Sequence, residues 1–230
     1  MSTTRREFLD RLALGAAAAG GLPLALGATA RTLGAMDAMA APPPDTAWDL
    51  TWTRRLTGRH KGVFDVPEIE SGYGVWRASI WAAQYQGVLA VPARELSAVL
   101  VLRHNAIVLA MRQEFWDRYG IGKAKGVTHP VTQAPTDRNP ALLSSARGEQ
   151  PAQFDDFALD RFLARGNVAL ACNLALEEVV HLIATTDGIA PEAARTRALS
   201  LLVPGVVLQP SGVFAAMRAQ DVGCTYLRAS

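Results

Sequence analysis

The chain alternates between short apolar runs and longer stretches with helical spacing. "HKGVFDV" (60–66) predicts a strand, and "SGYGVWRASIWAAQYQG" (71–87) a helix that begins near Ser71. "LSAVLVL" (96–102) is a fully apolar strand, followed by a helix over 105–120 that Gly120 closes. Another helix spans 154–166, and "NVALAC" (167–172) is the third strand. The helix behind it runs to Asp187-Gly188, and Pro191 opens the next, which reaches Leu202. "GVVLQ" (205–209), a helix over 211–223 and "CTYLR" (224–228) complete the pattern.

Strands without polar alternation, separated by helices, are what a parallel sheet covered on both faces requires. With right-handed crossovers, the expected fold is α/β: a three-layer α/β/α sandwich around a mostly parallel sheet of about five strands. One stretch does not fit the rhythm. Residues 121–153 are rich in Gly, Pro and Thr and carry no apolar period. A loop of about thirty residues is uncommon inside a domain and marks a lid, a binding loop or a surface excursion.

The first forty residues have another character. Arg5-Arg6, then Glu7, Phe8 and Leu9, resembles the twin-arginine (Tat) export signal. An uncharged Ala/Gly-rich stretch (12–30) follows, then Ala38-Met39-Ala40 as a small-x-small cleavage site. The expectation is a signal peptide over 1–40, read by the Tat machinery through Arg5 and Arg6 and cleaved after Ala40. An uncleaved anchor is the alternative. Pro42-Pro43-Pro44 then begins a linker over 41–59, and a single domain occupies 60–230 with 121–153 as an insertion. Localisation would be periplasmic or otherwise extracytoplasmic.

Half of the residues are hydrophobic, which excludes global disorder. The first forty residues take four arginines and three acids with them and leave a net charge of +1. No Lys/Arg cluster remains to suggest nucleic acid. No glycine-rich phosphate loop follows the first strand, no His/Cys/Asp spacing matches a metal motif, and no cofactor is implied.

In an open parallel sheet, ligands bind beyond the carboxyl ends of the strands. That rule picks out Asp65 and Glu68 after the first strand, Arg103, His104 and Asn105 after the second, Cys172 and Asn173 after the third, and Gln209 and Ser211 after the fourth. A thiol beside a helix N-terminus has its thiolate stabilised, which makes Cys172 the candidate nucleophile. It is expected to be partly exposed there. The others are candidate substrate-binding residues. Each has a plainer reading: Cys172 as a small buried hydrophobe, His104 as a brace for its helix, Asp65 and Glu68 as turn residues, Ser211 as an N-cap. A Cys172–Cys224 disulfide is not expected. The two lie at opposite ends of parallel strands, roughly 13 Å apart, where a disulfide tolerates Cα atoms about 7 Å apart.

"VALACNLAL", "LLVPGVVLQPSGVFAAMRAQDVGCTYLR" and "AVLVLRHNAI" together resemble the DsrE/DsrF-like family, over roughly residues 62–228. The resemblance implies a three-layer α/β/α fold, a homo-oligomer (trimer or hexamer), and sulfur carried as a persulfide, for which only Cys172 matches the carrying position. His104 matches a rim histidine. Cys172 is followed by Asn173-Leu174-Ala175, without the glycine and Arg-Gly that accompany sulfurtransferase cysteines. Two functions follow as expectations. One is an exported sulfur-handling protein. The other is a non-catalytic module that binds a small anion or other small ligand, or assembles into oligomers.

Overall fold

Two seven-residue runs, β1 (His60–Val66) and β2 (Leu96–Leu102), pair in parallel at the centre of the sheet. The structure is a computed structural model and describes residues 48–230. The arginine pair, the uncharged stretch and the expected cleavage site lie outside the described residues. Three shorter strands complete the sheet: β3 (Val168–Cys172), β4 (Val207–Gln209) and β5 (Thr225–Arg228). The order is β4-β3-β2-β1-β5, and every pairing is parallel. The fold is the expected three-layer α/β/α sandwich.

Strand residues alternate between the two faces. Phe64, Leu100, Leu102 and Ala169 pack into one layer, and Val63, Val99, Val101 and Leu170 into the other. The steps from β1 to β4 all move one strand in the same direction, so right-handed connections place their helices on one face. These are α1 (Tyr73–Leu89), α2 (Gln113–Tyr119), α3 (Ile121–Lys125), α4 (Leu159–Ala164), α5 (Asn173–Asp187) and α6 (Pro191–Ser200). The return from β4 to β5 runs the other way, and α7 (Gly212–Asp221) covers the opposite face with Ala215, Ala216 and Ala219. A 3₁₀ turn, Thr51–Arg55, lies within the stretch read as a linker. It sends Trp52 into that second layer, where Leu56 joins it.

The helix expected over 105–120 is in fact two elements. His104–Ala110 is a 3₁₀ helix, Met111 leaves helical geometry to bridge Leu202, and α2 starts at Gln113. Polar partners pull the chain out of register: Asn139 takes the carbonyls of Leu109 and Met111, and the Trp116 indole takes that of Val108. The helix expected over 154–166 is likewise split, into a 3₁₀ turn (Ala152–Phe157) and α4. The segment 121–153 holds α3, an isolated bridge between Thr128 and Pro135, and a short 3₁₀ turn at Ser145–Arg147.

Candidate functional site

Asp65 faces the α7 layer near the end of β1, where an unpaired carboxylate would be costly. Arg103, the first residue after β2, satisfies it with Nε and Nη2 at 2.7 and 2.8 Å. The Tyr226 hydroxyl on β5 donates to the same carboxylate at 2.7 Å. Two parallel N–H···O bonds fix a guanidinium in plane as well as in position. Its stem runs beneath the first turn of α7, where a Cβ on Gly212 would lie 2.5 Å from Arg103 Cδ. Only glycine lets the helix start there. The Asp65 carboxylate, foremost through its hydrogen bonds, raises the Arg103 pKa above its ordinary value, with Tyr226 and Cys172 near enough to add to it. The bond to Asp65, followed by burial, pushes the Tyr226 phenol up as well. A hollow of about 280 Å³ opens here, lined by Asp65, Arg103, Met217, Gln220 and Tyr226.

Cys172 ends β3 in register with Gln209 on β4. The loop after β3 turns to the α5 face and the loop after β4 to the α7 face, so the connections switch sides between these two strands, at two residues that are both buried. Cys172 Sγ accepts the N–H of Ala175 at 3.4 Å and thereby caps α5. Both Cys172 and Cys224 are free thiols. Burial pushes the Cys224 thiol above its ordinary pKa. Gln209 is fully buried, its Nε2 donating to the carbonyls of Asp49 and Leu208 at 2.8 and 2.9 Å, while Oε1 has no partner among the described residues.

The remaining candidates divide. Asn173 is buried and accepts from Arg195 at 2.7 Å, a link from α5 to α6. Ser211 accepts the Phe214 N–H at 3.0 Å, the N-cap role its position suggests. Glu68, His104 and Asn105 sit on the other face of the sheet edge. Asn105 donates to Glu68 at 2.8 Å, His104 Nδ1 lies 3.3 Å from Glu68, and Lys125 reaches Asn105 at 3.3 Å. His104 holds a φ of 51°, sparsely populated for a residue with a side chain. His104, Asn105 and Lys125 rim a separate hollow of about 250 Å³, floored by Ile107, Phe115 and Leu182. No hydrogen bond among the described residues joins this group to Cys172 or Arg103.

The ring read as one site is therefore two, because the residues after β2 diverge. Arg103 turns to the α7 layer, and the backbone reversal at His104 sends the next side chains to the α5 layer. Cys172, expected to be partly open to the crevice, is 6% exposed and lines neither hollow, because its sulfur turns back to the start of α5. Tyr226 escaped the sequence reading, although strand alternation places it in register with Val63, two residues before Asp65 on the same face.

Comparison with family models, curated proteins and solved structures finds no match to this chain.

Proposed function

We propose that this chain is an exported DsrE/F-like sulfur carrier in which Cys172 takes up a sulfane sulfur. The observation that carries the reading is the place of the sulfur: it ends a strand inside the sheet and accepts the N–H of Ala175 at the start of the 15-residue α5. The N–H of Ala175 and the start of α5 would hold the negative charge of a perthiolate once one forms. The thiolate would attack the outer sulfur of a donor such as thiosulfate. A Cys–S–S⁻ bond forms, the donor S–S bond breaks, and sulfite leaves with its electron pair. Arg5 and Arg6 would address the chain to the Tat machinery, and replacing both by lysine should leave precursor in the cytoplasm. Exposed Val213, Met217, Tyr226 and Leu227 on α7 and the edge strand β5 support assembly into a homo-oligomer.

The burial of the same sulfur favours a second reading. At 6% exposure it is hard to reach, and the hollow beside Asp65, Arg103 and Tyr226 would then hold a small ligand without covalent chemistry. Intact-mass measurement after exposure to thiosulfate or polysulfide separates the two. The carrier gains one sulfur that a thiol reductant removes, in wild type and Cys224→Ser but not in Cys172→Ser. An adduct that survives Cys172→Ser, or none in wild type, sinks the carrier and leaves the binding module.

A further inference from the structure

Away from both hollows, the segment 121–153 meets the start of α2 and the chain before β4 around a third cavity, of about 390 Å³. Three arginines line it: Arg112 from the turn before α2, and Arg138 and Arg147 from the segment. We propose that this cavity binds a small monocarboxylate with an apolar body.

The guanidiniums are only partly used within the protein. Glu149, with a side chain 13% exposed, receives Arg138 Nη2 at 2.6 Å and Arg147 Nε at 2.9 Å. Arg147 also reaches the Leu142 carbonyl, and Arg112 the Ser200 carbonyl, with Glu114 a further 3.7 Å contact. Nε of Arg112 and Nε of Arg138 have no acceptor among the described residues, so neither guanidinium is fully spent within the protein. The Arg112, Arg138 and Arg147 side chains are 39%, 39% and 52% exposed, so each keeps an open part that can turn to the oxygens of a carboxylate in the cavity. A guanidinium presents its donors in a planar fork that matches a carboxylate.

The charge selects among anions. Three arginines stand against Glu149 and Asp160 on the lining, a net charge of +1 that one carboxylate neutralises and a phosphate dianion overshoots. Leu142, Leu143, Val203 and Pro204 form an apolar part of the wall beside Gln113 and Asn139, which suits a short hydrocarbon body that a free inorganic anion lacks. On this reading, the insertion supplies two of the three cations and most of the wall of a binding site. No residue of this cavity is shared with the Cys172 region, so the proposal stands whether or not Cys172 carries sulfur.

The test is calorimetry on the full chain at low ionic strength, with hexanoate, acetate and inorganic phosphate as probes. Hexanoate should bind at one site, more tightly than acetate or phosphate, and should weaken as salt is added. Arg112→Gln leaves the Arg138–Glu149–Arg147 clamp in place and should weaken hexanoate about tenfold or more, the loss of one charge-assisted contact. Asp160 is exposed and faces the cavity, so Asp160→Asn should tighten hexanoate several-fold, a gain that a misfolded protein cannot imitate. Cys172→Ser should bind as wild type. The assignment is overturned if hexanoate fails to bind at millimolar concentration, if phosphate outcompetes it, if Arg112→Gln binds as wild type does, or if Asp160→Asn does not tighten binding.

Discussion

The five-stranded sheet and the segment 121–153 are both well packed, yet different forces hold them. In the sheet, β2 and β3 are buried almost without interruption, and their contacts are apolar on both faces. Each large side chain removed from water there contributes about 1.5–3 kcal/mol. The segment has few apolar anchors, among them Ile121, Val127, Ala141 and Leu143. Buried polar side chains that answer backbone groups do the rest. Asn139 bonds the carbonyls of Leu109 and Met111 and the N–H of Ala141. Gln150 bonds the carbonyl of Leu143. His129 accepts from Val131 and Thr132 through Nδ1, so that Nε2–H donates to the Glu149 carbonyl. Apolar burial is cooperative and spread over many contacts, whereas a polar staple acts at one point. The sheet should therefore fail globally and the segment locally.

The largest effect tests the first half of that statement. Leu100 is fully buried at the middle of the central strand. Leu100→Asp leaves a carboxylate with no partner between two apolar layers, at a cost of several kcal/mol. The expected outcome is loss of the cooperative unfolding transition by circular dichroism. A folded variant with near-native stability would mean that β2 is not the core of the sheet.

Asn139→Ala tests the second half. It strands two carbonyls and one N–H in a site that is 1% exposed, and should destabilise by roughly 2–4 kcal/mol. The loss should concentrate in the segment, read as faster hydrogen exchange over 121–157 with β2 and β3 still protected. Uniform loss of protection would show that sheet and segment open as one unit. Gly122→Ala probes the same joint by sterics. A Cβ there would lie 2.2 Å from the Thr136 carbonyl oxygen and 2.5 Å from Asp137 Cα, both backbone atoms that cannot swing aside. Roughly 1–3 kcal/mol is expected, again confined to the segment.

The same contrast explains what could be read from the chain. Apolar runs report burial directly, so the five strands and the three-layer architecture were legible, and so were the caps at Ser211 and Gly188. The breaks at Met111 and before Leu159 were not, because their causes lie elsewhere in the chain: Asn139 for the first, and for the second the aromatic contact of Trp76 with Phe154 and Phe157, at 5.1 Å each. At the rim, residue types and strand ends named Asp65, Arg103 and Cys172 as neighbours of the edge. They did not reveal which face each side chain takes. That depends on the left-handed backbone at His104 and the cap made by Cys172, two local choices without an apolar period. Arg112 falls in the stretch read as a helix and Arg138 and Arg147 in the aperiodic segment, twenty-six and thirty-five positions further on. Only the folded segment brings them together.

The smallest effect is set by pH. Asp155 closes the end of the segment by accepting the Ser145 N–H at 2.8 Å, the Ser145 hydroxyl at 2.5 Å and the Gln150 amide at 3.0 Å. These bonds, the Ser145 hydroxyl first, hold its pKa below the usual 3.8. Asp187 is the counterpart in the helical layer. It receives Arg118 and Tyr119, each at 2.7 Å, and Arg197, and is held at about 2, chiefly by Arg118. For a depressed carboxylate, the unfolded or opened form binds the extra proton first. The stabilisation is complete above the ordinary pKa and is lost as pH falls through the folded one. Asp155→Asn and Asp187→Asn should therefore differ from wild type at pH 7, and each difference should shrink below about pH 4. For Asp187 it should vanish near pH 2. The readouts should separate. Asp187→Asn lowers the denaturant midpoint of the whole domain, because it ties α5 to α2 and α6. Asp155→Asn speeds proteolysis or exchange within 121–157 and leaves that midpoint nearly unchanged. A pH-independent difference for either variant would remove its carboxylate from the account. A midpoint shift as large for Asp155→Asn as for Asp187→Asn would show that the segment is as much a part of the cooperative core as the helices are.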